Sequence, residues 1–328
     1  MEMIEKLRTD VHLSYEETQA VFDAMLDGRM EEAQIEEVLT LFAEKGETEE
    51  EIAGAAQSLR ARAVQLPHTF DRLLDTCGTG GDNRGTFNIS TTSAIVCSLF
   101  LPVAKHGNRA VSSRSGSADV LEALRIPIDL DAHAAARFLK EKNFVFIFAQ
   151  KFFPAMRFVT GVRKRIGRRT VFNLLGPLCN PARPDCQMIG IFKKEAMPTY
   201  LGALQILDIP NVMLVSSDDG LDEISLSAPT VCYHKRGSSV RRFEFDPSEF
   251  GIHADLEAIR GYEPATNARI MKETLLCRHP DLVNVVAINA AFALMAAGVE
   301  ERPIPAFLLA REAIRSGEAY ERLMELAS

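Results

Sequence analysis

Apolar residues in the first 65 positions recur at the three- and four-residue spacing that is typical of amphipathic helices. They fall within 21–26, 35–42 and 52–59. Two of these runs follow a capping-box pattern, Ser14 with Glu17 and Thr48 with Glu51. The pattern predicts a small unit built of helices alone.

After residue 66 the pattern changes to short apolar runs that alternate with helical segments. The predicted strands are 101–104, 144–148, 188–192 and 212–216, the predicted helices between them include 117–124, 132–142 and 197–207, and 230–234 with 240–245 predict a hairpin. Alternation of this kind indicates a mainly parallel central sheet. We therefore predict an α/β protein with a small N-terminal helical domain, 1–66, and a larger α/β domain, 67–328.

Composition limits the kinds of partner. The 328-residue chain is 47% hydrophobic and 25% charged, which is ordinary for a globular protein. Its formal net charge of −8 predicts no general attraction to nucleic acid or to an anionic membrane. A phosphate site in this chain therefore has to be assembled locally from a few Lys, Arg and backbone N–H groups.

Cysteine usage and the apolar segments indicate a cytoplasmic protein. None of the six cysteines forms a CxxC pair, which predicts reduced thiols, and the charged N-terminus lacks the apolar run of a signal peptide. The most apolar stretch, 283–299, is interrupted by Asn284 and Asn289. Its uninterrupted part is too short to cross a bilayer, so we predict a buried core helix.

The segment 75–92 contains four glycines within eight residues. Glycine permits positive φ and lets a ligand approach backbone N–H groups closely. Asn88, Ser90 and Thr91 then open a predicted helix, whose N-terminus is a natural anion site. The segment lacks a Walker Gly-Lys-Ser/Thr, and Asn83 stands where the dinucleotide fingerprint requires a glycine. A phosphate-binding loop is predicted, with an ordinary Gly-rich turn as the alternative.

The segment 105–119 concentrates cations and hydroxyls directly after a predicted strand. Its cations are Lys105, Arg109 and Arg114, its hydroxyls are Ser112, Ser113, Ser115 and Ser117, and Gly107 and Gly116 allow close approach. Loops that follow parallel strands meet at one rim of the sheet, where ligands bind. We therefore predict a second phosphate-binding loop beside the first.

Two further segments add opposite charges. Asp222 and Glu223 follow the predicted strand 212–216, and adjacent carboxylates at a phosphate-binding rim suit magnesium, although a solvated acidic loop is the alternative. The segment 163–181 begins with a basic cluster that could hold a carboxylate. A plain surface helix remains open for it, and no interleaved aromatics support a nucleic-acid patch.

Together the four segments resemble the anthranilate phosphoribosyltransferases. The shared patterns are GTGGD with TFNIST, KHGNR with SGSADVLEAL, RTVFNLLGPL and GLDEIS, in the family's order and over nearly the whole chain. The resemblance implies a fold related to the pyrimidine nucleoside phosphorylases, and a homodimer built through the helical domain with a contribution from about 164–182. It implies transfer of phosphoribosyl from phosphoribosyl diphosphate to the amino group of anthranilate.

The resemblance also implies roles for individual residues. The phosphoribosyl diphosphate contacts are Gly78, Gly81, Asp82, Thr86, Asn88, Ser90, Thr91, Lys105, Gly107, Asn108, Arg109, Ser112, Ser113 and Ser117. Ser90, Asp222 and Glu223 would bind two magnesium ions. Gly78, Asn108, Arg163 and Phe153 would line the acceptor site, with Arg163 facing the carboxylate.

The chain departs from the family pattern mainly on the acceptor side. Phe153 stands where the family typically has a histidine, and Phe158 where a histidine is common. Asn83 replaces a usual glycine, and 261–268 lacks the usual paired glycines. These departures leave open a paralogue that uses another aromatic amine or heterocycle. The residues are also compatible with a nucleoside phosphorylase or a nucleic-acid-binding relative of the same fold.

Overall fold

The computed structural model describes residues 2–82, 84–110 and 114–328. Its first four helices are α1 (Glu2–Arg8), α2 (Tyr15–Leu26), α3 (Glu32–Lys45) and α4 (Glu49–Ala61). Both predicted capping boxes are confirmed, at the starts of α2 and α4. Glu51 of the second box is fully buried, where it accepts from Lys45 Nζ at 2.7 Å and from the backbone N–H of Leu13 at 2.9 Å.

A seven-stranded sheet forms the centre of the larger domain. The strands are β1 (Leu74–Thr76), β2 (Val103–Gly107), β3 (Phe144–Phe148), β4 (Cys186–Gly190), β5 (Asn211–Ser217), β6 (Thr230–Arg236) and β7 (Ser239–Phe245). Their order is β3-β2-β1-β4-β5-β6-β7, parallel as far as β5 and antiparallel for the last two. The predicted mainly parallel sheet and its terminal hairpin are confirmed.

One central strand was missing from the sequence prediction. β1 has three residues and lies between β2 and β4. Its middle residue, Asp75, is a fully buried carboxylate that accepts from the backbone N–H of His106 at 3.1 Å. A short strand with a charge at its centre lacks the apolar run by which buried strands are recognised.

The remaining helices cover both faces of the sheet. They are α5 (Ile89–Cys97), α6 (Ser117–Ala123), α7 (Ala132–Lys142), α8 (Ala149–Phe152), α9 (Arg157–Ile166), α10 (Phe172–Leu175), α11 (Met197–Ile206), α12 (Pro264–Leu275), α13 (Pro280–Ala296), α14 (Pro303–Arg315) and α15 (Glu318–Leu326). One apolar cluster surrounds α13 and α5 on one face. The other unites the opposite face with the N-terminal helices, against which α9, α10 and α11 pack.

The apolar stretch predicted as a core helix is α13, and nearly all its residues are buried. Among the described residues no single helix is long and apolar enough to span a membrane. Only α12 and α13 taken together reach that length and composition, and they are bent by 86° at their junction.

Candidate active site

Three of the four predicted site segments begin at the carboxyl ends of strands, whereas the fourth, 163–181, begins within α9. The Gly-rich loop follows β1, the segment from Lys105 includes the end of β2, Gly190 ends β4, and the Asp222–Glu223 loop follows β5. Because β1 lies between β2 and β4, with β5 next to β4, these segments meet at one rim of the sheet.

The Gly-rich loop lies directly against the acidic loop. The backbone N–H of Gly80 donates to Asp222 Oδ2 at 2.8 Å, and that of Thr79 donates to the carbonyl of Gly190 at 2.9 Å. A Cβ on Gly78 would lie 2.7 Å from Asp222 Oδ2. Gly80 and Gly81 have φ of +64° and +73°, which favour glycine. The glycines are therefore required by both backbone conformation and close approach.

The N-terminus of α5 faces the same acidic loop. The backbone N–H of Ser90 donates to Glu223 Oε1 at 3.2 Å, while Thr91 is buried behind it. Asn88 precedes the helix, and its Oδ1 accepts from Asn267 Nδ2 at 3.0 Å. The helix end thus offers its partial positive charge to a carboxylate.

The segment 261–268, which lacks the family's paired glycines, supports the loop that leads into α5. The backbone N–H of Gly261 donates to the carbonyl of Gly85 at 2.6 Å, and Thr86 forms an isolated bridge with Arg260. A Cβ on Gly261 would lie 2.8 Å from the backbone nitrogen of Phe87. The one glycine retained in this segment is therefore the one that the packing requires.

Lys105 is a buried cation at the floor of the site. Its side chain is part of a residue only 2% exposed, and Nζ donates to the carbonyl of Thr76 and, at 3.2 Å, to Ser90 Oγ. Asp75 lies beneath it, and burial raises the pKa of that carboxyl to about 6, against the opposing effect of Lys105. The hydrogen-bond partners of Lys105 are neutral oxygens, so its charge is available to an anionic ligand at this rim.

The carboxyl groups of Asp222 and Glu223 are buried and lie near each other and near Asp82. Burial and then the nearby charge of Asp82 raise the pKa of Asp222 to about 6, and burial followed by Asp222 raises that of Glu223 well above its usual value. Neither carboxylate forms an ion pair with a Lys, Arg or His within the described part of the chain. A bound cation would stabilise both in their ionised forms.

The donor set around these acids suits a hard cation. The described residues contain no cluster of three or more His, Cys, Asp or Glu side chains that could hold a metal by themselves. Two carboxylates with the hydroxyl of Ser90 leave coordination positions for water and phosphate oxygens, as magnesium requires. A small cavity lies here and is lined by Thr76, Gly78, Ser90, Ser93, Met188, Gly190, Asp222, Glu223 and Asn289.

The second predicted phosphate loop is only partly described, because Ser112 and Ser113 lie outside the described residues. Gly107 is in close contact with Ser117, whose Oγ donates to the carbonyl of Asn108 at 3.3 Å. Arg109 is turned toward α6, where it pairs with Asp119 and Glu122 at 2.9 Å each. Its charge is therefore neutralised within the protein.

Arg163, on α9, is a cation that lacks an anion. Its guanidinium lies over the ring of Phe172, 5.1 Å from the centroid, and burial lowers its pKa. Across residues 2–82, 84–110 and 114–328 it forms no side-chain hydrogen bond or ion pair. A half-buried guanidinium without an anion among the described residues is costly unless a ligand supplies negative charge.

The two phenylalanines that replace family histidines have different surroundings. Phe153 is 5% exposed, and its ring centroid lies 5.5 Å from that of His106. His106 donates from Nδ1 to the carbonyl of Gly176 at 2.9 Å, and its buried Nε2 has no partner among the described residues. Burial lowers the pKa of His106 to about 4. Phe158 instead contacts Gly28 of the helical domain.

Two residues that the sequence analysis did not assign help to build the site. Asn289, on α13, accepts from the backbone N–H of Ile224 at 2.9 Å and donates to its carbonyl at 3.0 Å, which fixes the loop just after Glu223. The signal for it was a polar residue within the most apolar part of a mainly apolar helix. Arg169 donates a hydrogen bond to the carbonyl of Gly80. The sequence did not single it out because it is one of several basic residues in 163–169.

Comparison with known proteins agrees with this architecture. Residues 1–63 match the helical bundle domain of a glycosyl transferase family, and 71–320 match the a/b domain of that family. Anthranilate phosphoribosyltransferases from Thermomicrobium roseum and Moorella thermoacetica are each 42% identical over 99% of this chain, which spans 95% and 96% of their lengths.

Solved structures give the same result. The anthranilate phosphoribosyltransferase of Thermus thermophilus superposes with a TM-score of 0.93 at 36% identity, covering 100% of this chain and 98% of that one. The Saccharomyces cerevisiae enzyme in complex with PRPP and Mg has a TM-score of 0.89 at 27% identity, covering 99% and 96%. This chain therefore belongs to the anthranilate phosphoribosyltransferase family.

Proposed function

We propose that this protein transfers the phosphoribosyl group of phosphoribosyl diphosphate to the amino group of anthranilate and releases diphosphate, a step of tryptophan biosynthesis. The observation that carries the proposal is the meeting at one rim of a Gly-rich loop, the N-terminus of α5, buried Lys105 and the Asp222–Glu223 pair. The full-length similarity to anthranilate phosphoribosyltransferases supports the choice of substrates.

The reaction breaks the bond between ribose C1 and the diphosphate oxygen, so positive charge develops on the sugar and negative charge on the leaving group. Lys105 and the backbone N–H groups of the Gly-rich loop stabilise that negative charge from fixed positions. Removal of one such donor costs on the order of 3 kcal/mol in the barrier. The amino group of anthranilate is already a nucleophile, so the site needs no strong base for the attack.

The diphosphate and ribose are bound by residues from both loops. Gly78, Gly81, Asp82, Thr86, Asn88, Ser90, Thr91, Lys105, Gly107, Asn108, Ser112, Ser113 and Ser117 form this site together with the Arg109 backbone. The side chain of Arg109 braces the loop against α6, since Asp119 and Glu122 occupy it. Asp82, an acid, suits ribose hydroxyls or metal-bound water better than a phosphate oxygen.

Magnesium completes the diphosphate site. Ser90, Asp222 and Glu223 hold two ions, which when bound neutralise diphosphate charge and keep both carboxylates ionised. The complex of the Saccharomyces cerevisiae enzyme with PRPP and Mg supports magnesium as the metal. The two buried acids and the helix hydroxyl supply oxygen ligands of the kind that magnesium prefers.

The acceptor binds beside Gly78, Asn108, Arg163 and Phe153. Arg163 pairs with the acceptor carboxylate, which supplies the anion that this guanidinium lacks. A Saccharomyces cerevisiae relative has been solved in complex with 4-fluoroanthranilate, an acceptor-like compound. Phe153 favours one alternative, a paralogue whose acceptor is a different carboxylated aromatic amine, because it removes a hydrogen-bonding side chain from the pocket.

The protein acts as a homodimer joined through its helical domain, residues 1–66, with a contribution from about 164–182. The assignment of 164–182 to the helical domain is supported by the packing of α9 against α2 and α3 and of α10 against α4. The α/β domain, 67–328, carries the diphosphate site. The net charge of −8 speaks against nucleic acid or an anionic membrane as a partner.

The test is the loss of anthranilate fluorescence when the purified protein is mixed with phosphoribosyl diphosphate and magnesium. We expect turnover that needs magnesium and is lost in the Asp222→Asn/Glu223→Gln double variant. Absence of turnover, with phosphoribosyl diphosphate still binding by calorimetry, would refute anthranilate as the acceptor and support the paralogue. Absence of both would refute the phosphoribosyl site itself.

A further inference from the structure

Arg169 lies in the short connection between α9 and α10, yet its side chain reaches the Gly-rich loop. Its Nη2 donates to the carbonyl of Gly80, whose own N–H donates to Asp222 Oδ2 at 2.8 Å. Gly80 is therefore held from two sides, by a cation through its carbonyl and by a carboxylate through its amide.

The surroundings of Arg169 fix its guanidinium in this place. Its carbon Cζ lies 3.3 Å from the centroid of the Phe192 ring, so the planar group is supported from below by an aromatic face. On the loop side, a Cβ on Gly81 would collide with Nη2. The absence of a side chain at position 81 thus makes room for Arg169.

Arg169 also connects two parts of the site. It follows Arg163 by six residues on the segment that packs against the helical domain, whereas Gly80 belongs to the loop after β1. Both Asp82 and Asp222 act on Arg169 electrostatically, although neither forms an ion pair with it in the described part of the chain. Its charge therefore faces the carboxylates of the site without being neutralised by one.

We infer that Arg169 is a positioning residue, which fixes the Gly80 peptide so that the N–H groups of the Gly-rich loop are arranged for the diphosphate before it binds. The inference rests on the proposed function, because the loop concerned is the one assigned to phosphoribosyl diphosphate. A loop arranged in advance binds its ligand without the entropic cost of ordering.

The neighbouring residue provides a matched control. Arg168 is also an arginine and directly precedes Arg169 in the chain. Its guanidinium, however, points to the surface and pairs with Glu44 of α3 at 2.8 Å. Arg168→Gln removes the same charge without touching the loop. Arg169→Gln removes the guanidinium that donates to the Gly80 carbonyl. Arg169→Lys keeps the positive charge but loses the planar group that stacks on Phe192.

The first readout is hydrogen exchange of the backbone amides of 77–82 without substrates, compared with amides of α13. We expect Arg169→Gln to speed exchange in the loop at least tenfold and to leave α13 unchanged. Arg169→Lys should fall between it and the wild type, and Arg168→Gln should match the wild type. Equal loop exchange in Arg169→Gln and Arg168→Gln would overturn the inference.

The second readout is steady-state kinetics. We expect Arg169→Gln to raise KM for phosphoribosyl diphosphate about tenfold while kcat and KM for anthranilate change less than twofold. A change confined to KM for anthranilate would contradict the assigned role. If the wild type shows no turnover but Arg169→Gln still speeds hydrogen exchange in the loop, the proposed function is wrong while the role of Arg169 in holding the loop is supported. The failure of the one is therefore distinguishable from the failure of the other.

Discussion

Asn289 offers the sharpest test of how the loop with Asp222 and Glu223, the proposed magnesium ligands, is held. The residue is 1% exposed, and its amide bonds both the N–H and the carbonyl of Ile224, which directly follows Glu223. Asn289→Ala leaves both backbone groups buried without partners. Each such group costs about 1–3 kcal/mol, so the variant should lose roughly 2–6 kcal/mol of folding free energy. A chain of this size should then melt about 3–9 °C lower.

The same change should affect catalysis, because Glu223 is one residue and Asp222 two residues before the released backbone of Ile224. We expect a higher magnesium concentration for half-maximal activity, with KM for anthranilate unchanged. Asn284→Ala is the control, since Asn284 lies on the same helix and no hydrogen bond of its side chain to a described residue is found. Calorimetry gives the melting temperature, and magnesium titration of the fluorescence assay gives the metal dependence.

Equal melting temperatures and equal magnesium dependence in the two asparagine variants would refute this reasoning. A water molecule that enters the space left by the amide and bonds to Ile224 would produce that result. A fall in stability with unchanged magnesium dependence would mean that the loop keeps its position without Asn289, and that the buried amide matters for folding alone.

Three further predictions concern separate parts of the chain. Arg163→Gln should raise KM for anthranilate at least tenfold with KM for phosphoribosyl diphosphate unchanged, and equal effects on both would contradict its role. Phe153→His should give His106 Nε2 a partner and lower KM for anthranilate severalfold; an unchanged KM would count against it. Glu51→Gln should destabilise the fold by about 3–5 kcal/mol, because buried Lys45 loses its counter-ion, while kcat stays unchanged at a permissive temperature.

Glu51 also gives a direction for the pH dependence of stability. Burial acts to raise its pKa, but Lys45 and the backbone N–H groups of Leu13 and Thr48 together hold it below the ordinary value. A carboxyl with a lowered pKa contributes stability that is present at neutral pH and is lost as the pH falls through its folded pKa. The melting temperature of Glu51→Gln should therefore fall less steeply with acid than that of the wild type.

The sequence predicted elements well where burial and periodicity coincide. The apolar run at 144–148 matches β3 in full, and Ser14 and Thr48 mark the helix starts that the structure has. β1 was not predicted because its central residue, Asp75, is a charged residue that is buried and hydrogen-bonded. A hydropathy pattern cannot distinguish such a residue from an exposed one. The site motifs were recognisable because glycines and hydroxyls are needed there by backbone geometry.

The direction in which each arginine side chain points could not be predicted from the sequence. Arg163, Arg168 and Arg169 appear there as one basic cluster, and a helix-spacing argument does not separate them. In the structure the first lies over Phe172, the second pairs with Glu44 on the surface, and the third reaches the Gly-rich loop. Only the packing of α9 and α10 against other elements assigns each a partner.

The two phenylalanines that depart from the family pattern also differ in their surroundings. Phe158 packs against Gly28 and so belongs to the contact between α9 and the helical domain, whereas Phe153 lies beside His106 at the proposed acceptor site. Arg163 has no ion-pair partner in the described part of the chain, and its guanidinium lies over the Phe172 ring. If the proposed acceptor site is correct, the chain has kept the means to bind a carboxylate and has changed what surrounds the ring. The informative acceptors are therefore aromatic amines that all carry a carboxylate and differ in ring substituents, and amines without a carboxylate should not react.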